Sequence, residues 1–256
     1  MPNGVSPVEL YPGVEVVFGE PALYLKSLSI LVVTDLHLGF EEACTDYGLF
    51  LPRIQFKKLI DRINRLIDLC NPSKIVINGD VKHYFSKLTH QERCEISKLL
   101  SFLRDKGLEV YIVRGNHDNY LPLVLYKYDI PLYEYMMLGD ILLIHGHELK
   151  QDIISRVKLV IIGHEHPSIR VSNELGYTTK LPCFLKVPLK TGQELIVMPA
   201  LSLYASGTQI TIEKGNYLSP IVRELGILEE AVPYVIDGEG SILELPPLSS
   251  IRDLIS

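Results

Sequence analysis

The stretch Ile30-Leu31-Val32-Val33-Thr34-Asp35-Leu36-His37 decides how the rest of the chain is interpreted. Its first four residues are apolar, which predicts a buried strand. An acid and an imidazole follow directly, at Asp35 and His37. Open α/β sheets carry their sites at the carboxyl ends of strands, and residues two apart in a strand share a face. The pattern therefore predicts that both side chains project together at one edge of a sheet.

Four further apolar runs end in similar polar groups. They predict strands over residues 74–78, 108–113, 141–144 and 158–162. Two amphipathic helices separate the first three strands. One helix is predicted to begin at Pro52, and the other begins after Thr89 with a capping-box pattern. Alternating strands and helices predict a parallel or mixed sheet with right-handed crossovers.

The segments around this core predict short strands joined by turns. They cover residues 8–34, whose last strand is the one before Asp35, a hairpin over residues 133–144 and several runs after residue 166. No internal repeat, low-complexity segment or linker interrupts the sequence. We therefore expect one α/β domain over residues 1–256.

The composition is that of a globular protein, because 47% of the 256 residues are hydrophobic and 22% are charged. No apolar run reaches the roughly 18 residues of a membrane span, and residues 1–4 do not resemble the start of a secretory signal. We therefore expect a cytoplasmic protein without a membrane partner. The four cysteines are widely spaced, so we expect buried free thiols rather than disulfides or a zinc site.

The net charge of −6 does not suggest a protein that coats nucleic acid, but the charge is unevenly distributed. Residues 53–114 contain 13 Lys and Arg against 7 Asp and Glu, whereas residues 191–256 contain 3 against 9. The basic stretch could form a surface that faces phosphates. We favour the alternative that it forms the solvated faces of two helices.

Seven of the eight histidines lie in or beside the strand-end clusters, and only His90 lies elsewhere. Packing explains this poorly, because neutral imidazoles are rarely buried without partners. The clusters offer seven nitrogen or oxygen ligands: Asp35, His37, Asp80, Asn116, His145, His164 and His166. This set exceeds one tetrahedral site and suits two ions that share a bridging group. Such ligands favour Mn²⁺, with Fe, Zn, Ni or Co as alternatives.

Two metal ions about 3.5–4 Å apart lower the pKa of a bridging water and hold the oxygens of an in-line phosphoryl displacement. Five ordered blocks resemble those of the calcineurin-like metallophosphoesterase superfamily. The blocks are Asp35-x-His37, Gly79-Asp80, Gly115-Asn116-His117-Asp118, His145-Gly146-His147 and Gly163-His164-x-His166. The resemblance implies an α/β fold, a four-layer α/β/β/α sandwich of two mixed sheets with the dimetal site at the strand ends.

The resemblance also implies how the ligands divide between the ions. Asp80 is the bridge. The other ligands of the first ion are Asp35, His37 and His166. The other ligands of the second ion are Asn116, His145 and His164.

Four further residues receive roles by the same resemblance. His117 corresponds to the histidine that contacts the phosphate and protonates the leaving oxygen, and Asp118 corresponds to the residue that orients it. His83 stands where the second block often has a second aspartate, so we expect it to support the ligands or contact the substrate, with an inert loop position as the alternative. His147 is expected to line the site, with a purely structural role as the alternative.

Looser motifs resemble one subgroup, the ligase-associated DNA damage response endonucleases and their archaeal relatives. The motifs are Asp35-Leu36-His37-Leu38-Gly39, Gly79-Asp80-x-x-His83, Gly163-His164-Glu165-His166-Pro167, Leu181-Pro182-Cys183-Phe184 and Met198-Pro199-Ala200-Leu201. This resemblance implies a DNA phosphodiesterase that works beside a helicase or a ligase.

Two other functions stay open at the level of sequence. The same enzyme could act on a small nucleotide, a cyclic nucleotide or a phosphoprotein, because surface loops rather than the metals choose the substrate. A non-catalytic scaffold is the other alternative, but all seven candidate ligands and His117 are present. The sequence predicts no oligomeric state.

Overall fold

Two mixed β-sheets form the centre of the structure, a computed structural model that describes residues 8–172, 178–205, 207–238 and 240–252. Within these ranges the first sheet has seven strands in chain order: β1 (Glu9–Tyr11), β2 (Val14–Val16), β3 (Leu23–Leu25), β4 (Ile30–Val33), β5 (Lys74–Asn78), β6 (Glu109–Val113) and β7 (Leu132–Tyr133). Strands β1 to β4 pair antiparallel, and β4 to β7 pair parallel. The mixed sheet with parallel crossovers is as predicted.

Helices connect the parallel strands of this sheet. They are α1 (Phe40–Thr45), α2 (Gln55–Cys70), α3 (His90–Asp105) and α4 (Pro122–Leu125). The predicted capping box is present, since Thr89 accepts from the Glu92 backbone N–H and the Glu92 carboxylate accepts from the Thr89 N–H. Helix α2 begins at Gln55, three residues after Pro52, with Ile54 as its N-cap. The predicted start at Pro52 was therefore wrong, because this proline lies before the helix and not in its first turn.

The second sheet contains β8 (Met136–Leu138), β9 (Ile141–Leu143), β10 (Leu159–Ile162), β11 (Pro167–Ser172), β12 (Thr178–Pro188), β13 (Glu194–Val197), β14 (Thr208–Gln209), β15 (Val232–Ile236) and β16 (Ile242–Glu244). Its main strand order is β14-β11-β12-β13-β10-β9-β8, while β15 pairs with β12 and β16. Strand β10 lies parallel to both β9 and β13. Helices α5 (Gln151–Ile154) and α6 (Pro220–Leu225) complete this half.

The predicted hairpin over residues 133–144 is shorter than expected. Tyr133 belongs to β7 in the first sheet, and its carbonyl accepts from the Arg114 N–H. Only β8 and β9 form the hairpin, and they lie in the second sheet. The chain passes between the sheets at residues 134–135. Hydrophobic periodicity indicates that a segment is extended but not which sheet it joins, so the prediction merged two strands.

The two sheets pack face to face, and each carries helices on its outer side. In β4, Ile30 and Val32 lie in the core between the sheets, whereas Leu31 and Val33 pack in the core that includes α2 and α3. The outer core of the second sheet includes residues of α5 and α6. These layers confirm the α/β/β/α sandwich, with two apolar faces buried on each sheet.

All four cysteines are free thiols, as predicted. Only Cys183 is buried, however, and Cys44, Cys70 and Cys94 are partly exposed. The prediction that all four are buried was wrong for these three, because they lie near helix boundaries or on a helix surface. In the described part of the chain, no helix has the length and apolar character needed to cross a bilayer.

Candidate metal centre

The predicted ligands lie on five turns, each at the carboxyl end of a strand. Asp35 and His37 follow β4, Asp80 follows β5, and Asn116 follows β6 in the first sheet. His145 follows β9 of the second sheet, and both His164 and His166 follow β10. Strands β4, β5 and β6 are mutually parallel, as are β9 and β10, so each set of strand ends meets at one edge.

The backbone of these turns is unusual. In the described ranges nine non-glycine residues have positive φ, and five of them are candidate ligands: Asp35 (55°), His37 (47°), Asp80 (51°), His164 (66°) and His166 (47°). Such conformations cost on the order of 1–3 kcal/mol each and persist where the surroundings enforce them. Here backbone hydrogen bonds join the turns, since Asp35 N–H donates to Gly79 O at 3.0 Å and His37 N–H donates to Asp80 O at 3.0 Å.

The expected reason for the pairing of Asp35 and His37 was therefore wrong. Strand β4 ends at Val33, so strand periodicity does not place the two side chains. Left-handed backbone at both positions turns them toward the same space instead.

The first ligand group consists of Asp35, His37 and His166. Asp35 Oδ1 lies 3.0 Å from His166 Nε2, and the Nε2 atoms of His37 and His166 are 3.4 Å apart. The three ligand atoms lie within 4.8 Å of one another. Asp35 is completely buried, so its charge requires a partner.

The second ligand group consists of Asp80, His145 and His164, whose ligand atoms also lie within 4.8 Å of one another. Asp80 Oδ2 lies 3.4 Å from His145 Nε2. Asp35 Oδ1 lies 3.8 Å from the same nitrogen, so the two groups adjoin. The structure thus brings together six predicted ligands in two adjacent triads.

Two buried ligand atoms of this site have no hydrogen-bond partner among the described residues. They are Asn116 Oδ1 and His145 Nε2. A buried polar atom without a partner is costly, and a metal ion bonded to it removes that cost. Nδ1 of His145 donates to the Asn78 carbonyl at 2.9 Å, so Nε2 faces the aspartates and is the atom that would bind a metal ion once its proton is displaced. The residues present therefore fit a divalent metal pair.

The electrostatics of the pocket favour cations. Burial opposes ionisation of both aspartates, but neighbouring histidines outweigh it and lower the pKa of Asp35 and of Asp80. Both carboxylates are therefore ionised near neutral pH. Burial lowers the pKa of His37 to about 3 and keeps that imidazole neutral. Ionised carboxylates and a neutral imidazole are the forms that bind metals.

Two residues that support the ligands were missed by sequence reasoning. The Asn78 carbonyl accepts from His145 Nδ1 and from Thr34 Oγ1, and its side-chain amide donates to the carbonyls of Ile144 and Ile161 in the second sheet. Thr34 Oγ1 also donates to Asp35 Oδ2 at 2.8 Å. A polar residue at the buried end of a strand was the available signal in both cases.

Glycines of the blocks make room for the ligands. A Cβ atom on Gly79, whose φ is +95°, would lie 2.1 Å from His145 Nδ1. One on Gly163 would lie 2.0 Å from Thr34 Oγ1 and 2.5 Å from Asp35 Oδ2. These two blocks therefore need glycine because side chains from other strands occupy that space.

His117 lies beside the first ligand group and faces the site. Its Nδ1 forms a hydrogen bond with the His83 carbonyl. Because a carbonyl can only accept, Nδ1 is the donor and carries a proton. Nε2 lies 3.9 Å from Asp80 Oδ2. Asp118, expected to orient this ring, is completely buried, and its carboxylate accepts from the N–H groups of Val81 and Gly115 at 3.0 and 2.9 Å. The direct partner of the His117 ring is thus the His83 carbonyl.

His83 and His147 both lie at the site. His83 Nδ1 is 3.4 Å from His37 Nδ1, and these two residues form a third close group with His117. The His147 ring centroid lies 5.5 Å from that of His145 and 6.1 Å from that of His164. His83 therefore lies beside the first ligand group, and His147 lies beside the second.

Residues 28–155 match the family model of the calcineurin-like phosphoesterases. The chain belongs to this family. Members bind two divalent metal ions, and with the two ligand groups described above the protein is a metal-dependent phosphoesterase, a hydrolase. The non-catalytic scaffold is not supported.

The fold is shared with a solved structure, that of a nuclease. The nuclease MPE of Pseudomonas putida is 20% identical, with a TM-score of 0.64 over 94% of this chain and 99% of that one. Yfce, a phosphoesterase from E. coli, is 17% identical, with a TM-score of 0.41 over 85% of this chain and 98% of that one. None of the curated proteins matches the sequence significantly.

Proposed function

We propose that this phosphoesterase is a phosphodiesterase that hydrolyses DNA, with Mn²⁺ as the first choice of metal. The observation that carries the proposal is the pair of adjacent ligand groups with His117 beside them. This arrangement combines a dimetal site with an imidazole that can protonate an alkoxide leaving group, which suits phosphate esters. Among these esters, the resemblance to DNA endonucleases selects the phosphodiester.

In this proposal Asp80 would be the ligand shared by the two ions. Asp35, His37 and His166 hold the first. Asn116, His145 and His164 hold the second. When bound, the pair of ions supplies an activated water and neutralises charge on the phosphoryl group during in-line displacement. Six of these ligands form two groups, and the ligand atoms of each group lie within 4.8 Å of one another. The seventh, Asn116, offers a buried oxygen that lacks a hydrogen-bond partner among the described residues.

His117 acts as the general acid. The His83 carbonyl holds the Nδ1 proton, so a second proton on Nε2 is the one that can be transferred. Nε2 lies 3.9 Å from Asp80, which would bind metal, so it would lie close to a phosphate held by the ions. Transfer of this proton to the leaving oxygen contributes typically 10²–10⁴-fold to the rate. Asp118 supports this step only by shaping the turn that carries His117.

DNA is the proposed substrate because cationic side chains adjoin the ligands. A cavity of about 250 Å³ includes His166 in its lining together with Arg62 and Lys180. Glu20 pairs with Arg62 and Arg65. Lys180 donates to the Gly207 carbonyl at 2.9 Å and has no acidic partner among the described residues. The subgroup resemblance and the fold shared with a nuclease are consistent with this choice.

We further propose that His83 contacts the phosphate, because its ring lies beside both His37 and His117, with centroids 5.3 and 5.8 Å away. His147 lines the site beside the second ion. The helicase or ligase partner and the role in DNA repair stay predictions of the resemblance, as does the cytoplasmic location.

The test uses chelator-stripped protein to which Mn²⁺ is returned. A generic phosphodiester, a generic phosphomonoester and labelled single- and double-stranded DNA are compared in one series. We expect diester and DNA cleavage that depends on Mn²⁺ and falls by about 10²–10⁴-fold in His117→Ala. His90→Ala is the matched control, since His90 is exposed at the start of α3.

Diester cleavage without DNA cleavage would replace DNA by a small nucleotide. Selective cleavage of the monoester would favour a phosphatase. Equal activity in His117→Ala and His90→Ala would show that His117 is not the general acid.

A further inference from the structure

Large aromatic side chains surround the candidate metal centre, and the mechanism proposed above uses none of them. Phe85 is 55% exposed, although it lies next to the general acid. Its ring centroid is 5.9 Å from that of His117, and the two rings meet edge to face at 88°. A large apolar ring exposed at the mouth of a polar site requires an explanation.

A second aromatic pair contacts His83. Phe40 and Tyr204 stack with centroids 4.7 Å apart and an interplanar angle of 19°. The Phe40 ring also contacts His83, at 4.8 Å between centroids. Tyr204 is partly exposed, and its neighbour Leu203 lines the cavity that contains Arg62 and Lys180. The two aromatic positions therefore adjoin two neighbouring histidines of the site, Phe85 at His117 and the Phe40–Tyr204 pair at His83.

The loop that carries Phe85 is fixed by hydrogen bonds. Lys82 is completely buried, and its ammonium group donates to the carbonyls of Tyr84 and Lys87. These two residues lie before and after Phe85 in the sequence. The Tyr84 N–H donates to Glu92 Oε1 at 2.6 Å. The Tyr84 hydroxyl also donates to Asp46. Phe85 is thus held in its exposed position before any substrate binds, which lowers the entropy lost on binding.

We propose that Phe85 and Tyr204 are base-stacking surfaces, one on each side of the scissile phosphate, and that the enzyme selects nucleic acid with unpaired bases. The inference rests on the proposed phosphodiesterase function. Bases fit because a nucleotide chain places an aromatic ring on each side of every phosphodiester, and single-strand binding proteins pair cationic grooves with aromatic platforms.

Unpaired bases fit because both faces of an internal base in a duplex are already covered by its neighbours. Only a single-stranded, frayed or extruded base can offer a free face to Phe85. The arrangement also assigns the two positions. Phe85 contacts the His117 side and would stack with the base of the leaving nucleoside. Tyr204 would stack with the base on the opposite side of the phosphate.

The experiment uses dinucleoside monophosphates, which contain one phosphodiester and therefore one register. Four versions are compared: with both bases, with an abasic sugar on the leaving side, with an abasic sugar on the other side, and with neither base. The value of kcat/KM is measured with Mn²⁺ for the unmodified protein, Phe85→Ala, Phe85→Leu, Phe85→Trp and Tyr204→Ala. Tyr126→Ala is the matched control, because Tyr126 is 85% exposed and follows α4, away from this rim.

In the unmodified protein and in Tyr126→Ala, loss of the leaving-side base should lower kcat/KM by about 5–150-fold, the contribution of stacking one base on an aromatic ring. Phe85→Ala and Phe85→Leu should abolish this dependence, and Phe85→Trp should keep it. The leucine variant separates stacking from simple apolar contact. Tyr204→Ala should abolish the dependence on the other base.

The proposal is overturned if base removal changes kcat/KM by less than about 2-fold in the unmodified protein, or if Phe85→Ala lowers all four substrates equally. A Mn²⁺-loaded enzyme that cleaves a generic diester but shows either result keeps the proposed function without base recognition. An enzyme that cleaves neither the dinucleosides nor a generic diester overturns the proposed function, and the inference with it.

Discussion

In β4, the four residues Ile30–Val33 have extended backbone and side chains that are buried alternately on the two faces of the sheet. Just beyond the strand, Asp35 and His37 have positive φ, are buried, and carry polar groups into a shared pocket. The second sheet repeats the contrast, since β10 is wholly apolar and buried whereas His164 and His166 at its end have positive φ.

The contrast between strands and turns shows that the strands provide stability, whereas the turns carry the groups for the chemistry. The strands gain free energy from apolar burial and need no special geometry. The turns hold carboxylates and imidazoles in strained backbone, which is costly unless the rest of the fold enforces it. Changes in the two regions should therefore affect different properties of the protein.

The largest effect is expected from ligand removal in the turns. Asp80→Ala and His145→Ala should each lose metal binding and lower activity by roughly 10³-fold or more, because a bound metal contributes several kcal/mol to the transition state. The fold should persist, since the apolar cores are unchanged. Metal content, hydrolysis and circular dichroism measure the three properties. Unchanged phosphodiesterase activity in both variants would contradict the ligand assignment.

A strand substitution should show the reverse pattern. Ile196 of β13 is completely buried between the sheets. Ile196→Ala should lower the free energy of unfolding by about 2–5 kcal/mol through lost burial and the cavity left behind. Activity per folded molecule should stay close to that of the unmodified protein. Urea unfolding measures the first and initial rates the second, and a loss of activity at unchanged stability would break the contrast.

A smaller effect is expected where strand and turn meet. Thr34→Val keeps the shape of a completely buried side chain but removes its hydrogen bonds to Asp35 Oδ2 and to the Asn78 carbonyl. Metal affinity should fall by about 10–100-fold, as for other groups that orient a ligand. Competition with a chelator measures it. Thr45→Val at an exposed position is the control, and equal affinities in the two variants would contradict this role.

The smallest effect tests backbone strain directly. His164→Gly and His164→Ala both remove the imidazole, but only glycine adopts a φ of 66° without strain. The glycine variant should be more stable than the alanine variant by about 1 kcal/mol in the presence of chelator. Chemical unfolding measures the difference.

The same pair at Lys98, an exposed position within α3, should give the opposite sign. Glycine is less favourable than alanine in a helix interior by about 1 kcal/mol. If alanine were more stabilising than glycine at both positions, glycine would not release backbone strain at His164.

Much of the fold could be predicted because its signals are local. The apolar run before Asp35, the capping box at Thr89 and the helix before Asn71 depend on residues close in sequence, and the structure contains each of them. The five blocks also predicted which residues would meet, since parallel strands bring their carboxyl ends to one edge. The division of the chain at residues 134–135 between two sheets had no comparable local signal.

The sequence by itself determined the fold class and the identity of the candidate ligands, because residue type and strand period are local properties. Only the tertiary structure decided how those groups are oriented. The Asn78 carbonyl meets His145 across 67 residues of chain, and the His83 carbonyl meets the His117 ring across 34. Such contacts depend on how separate strands and turns pack together, and no spacing within one segment encodes them.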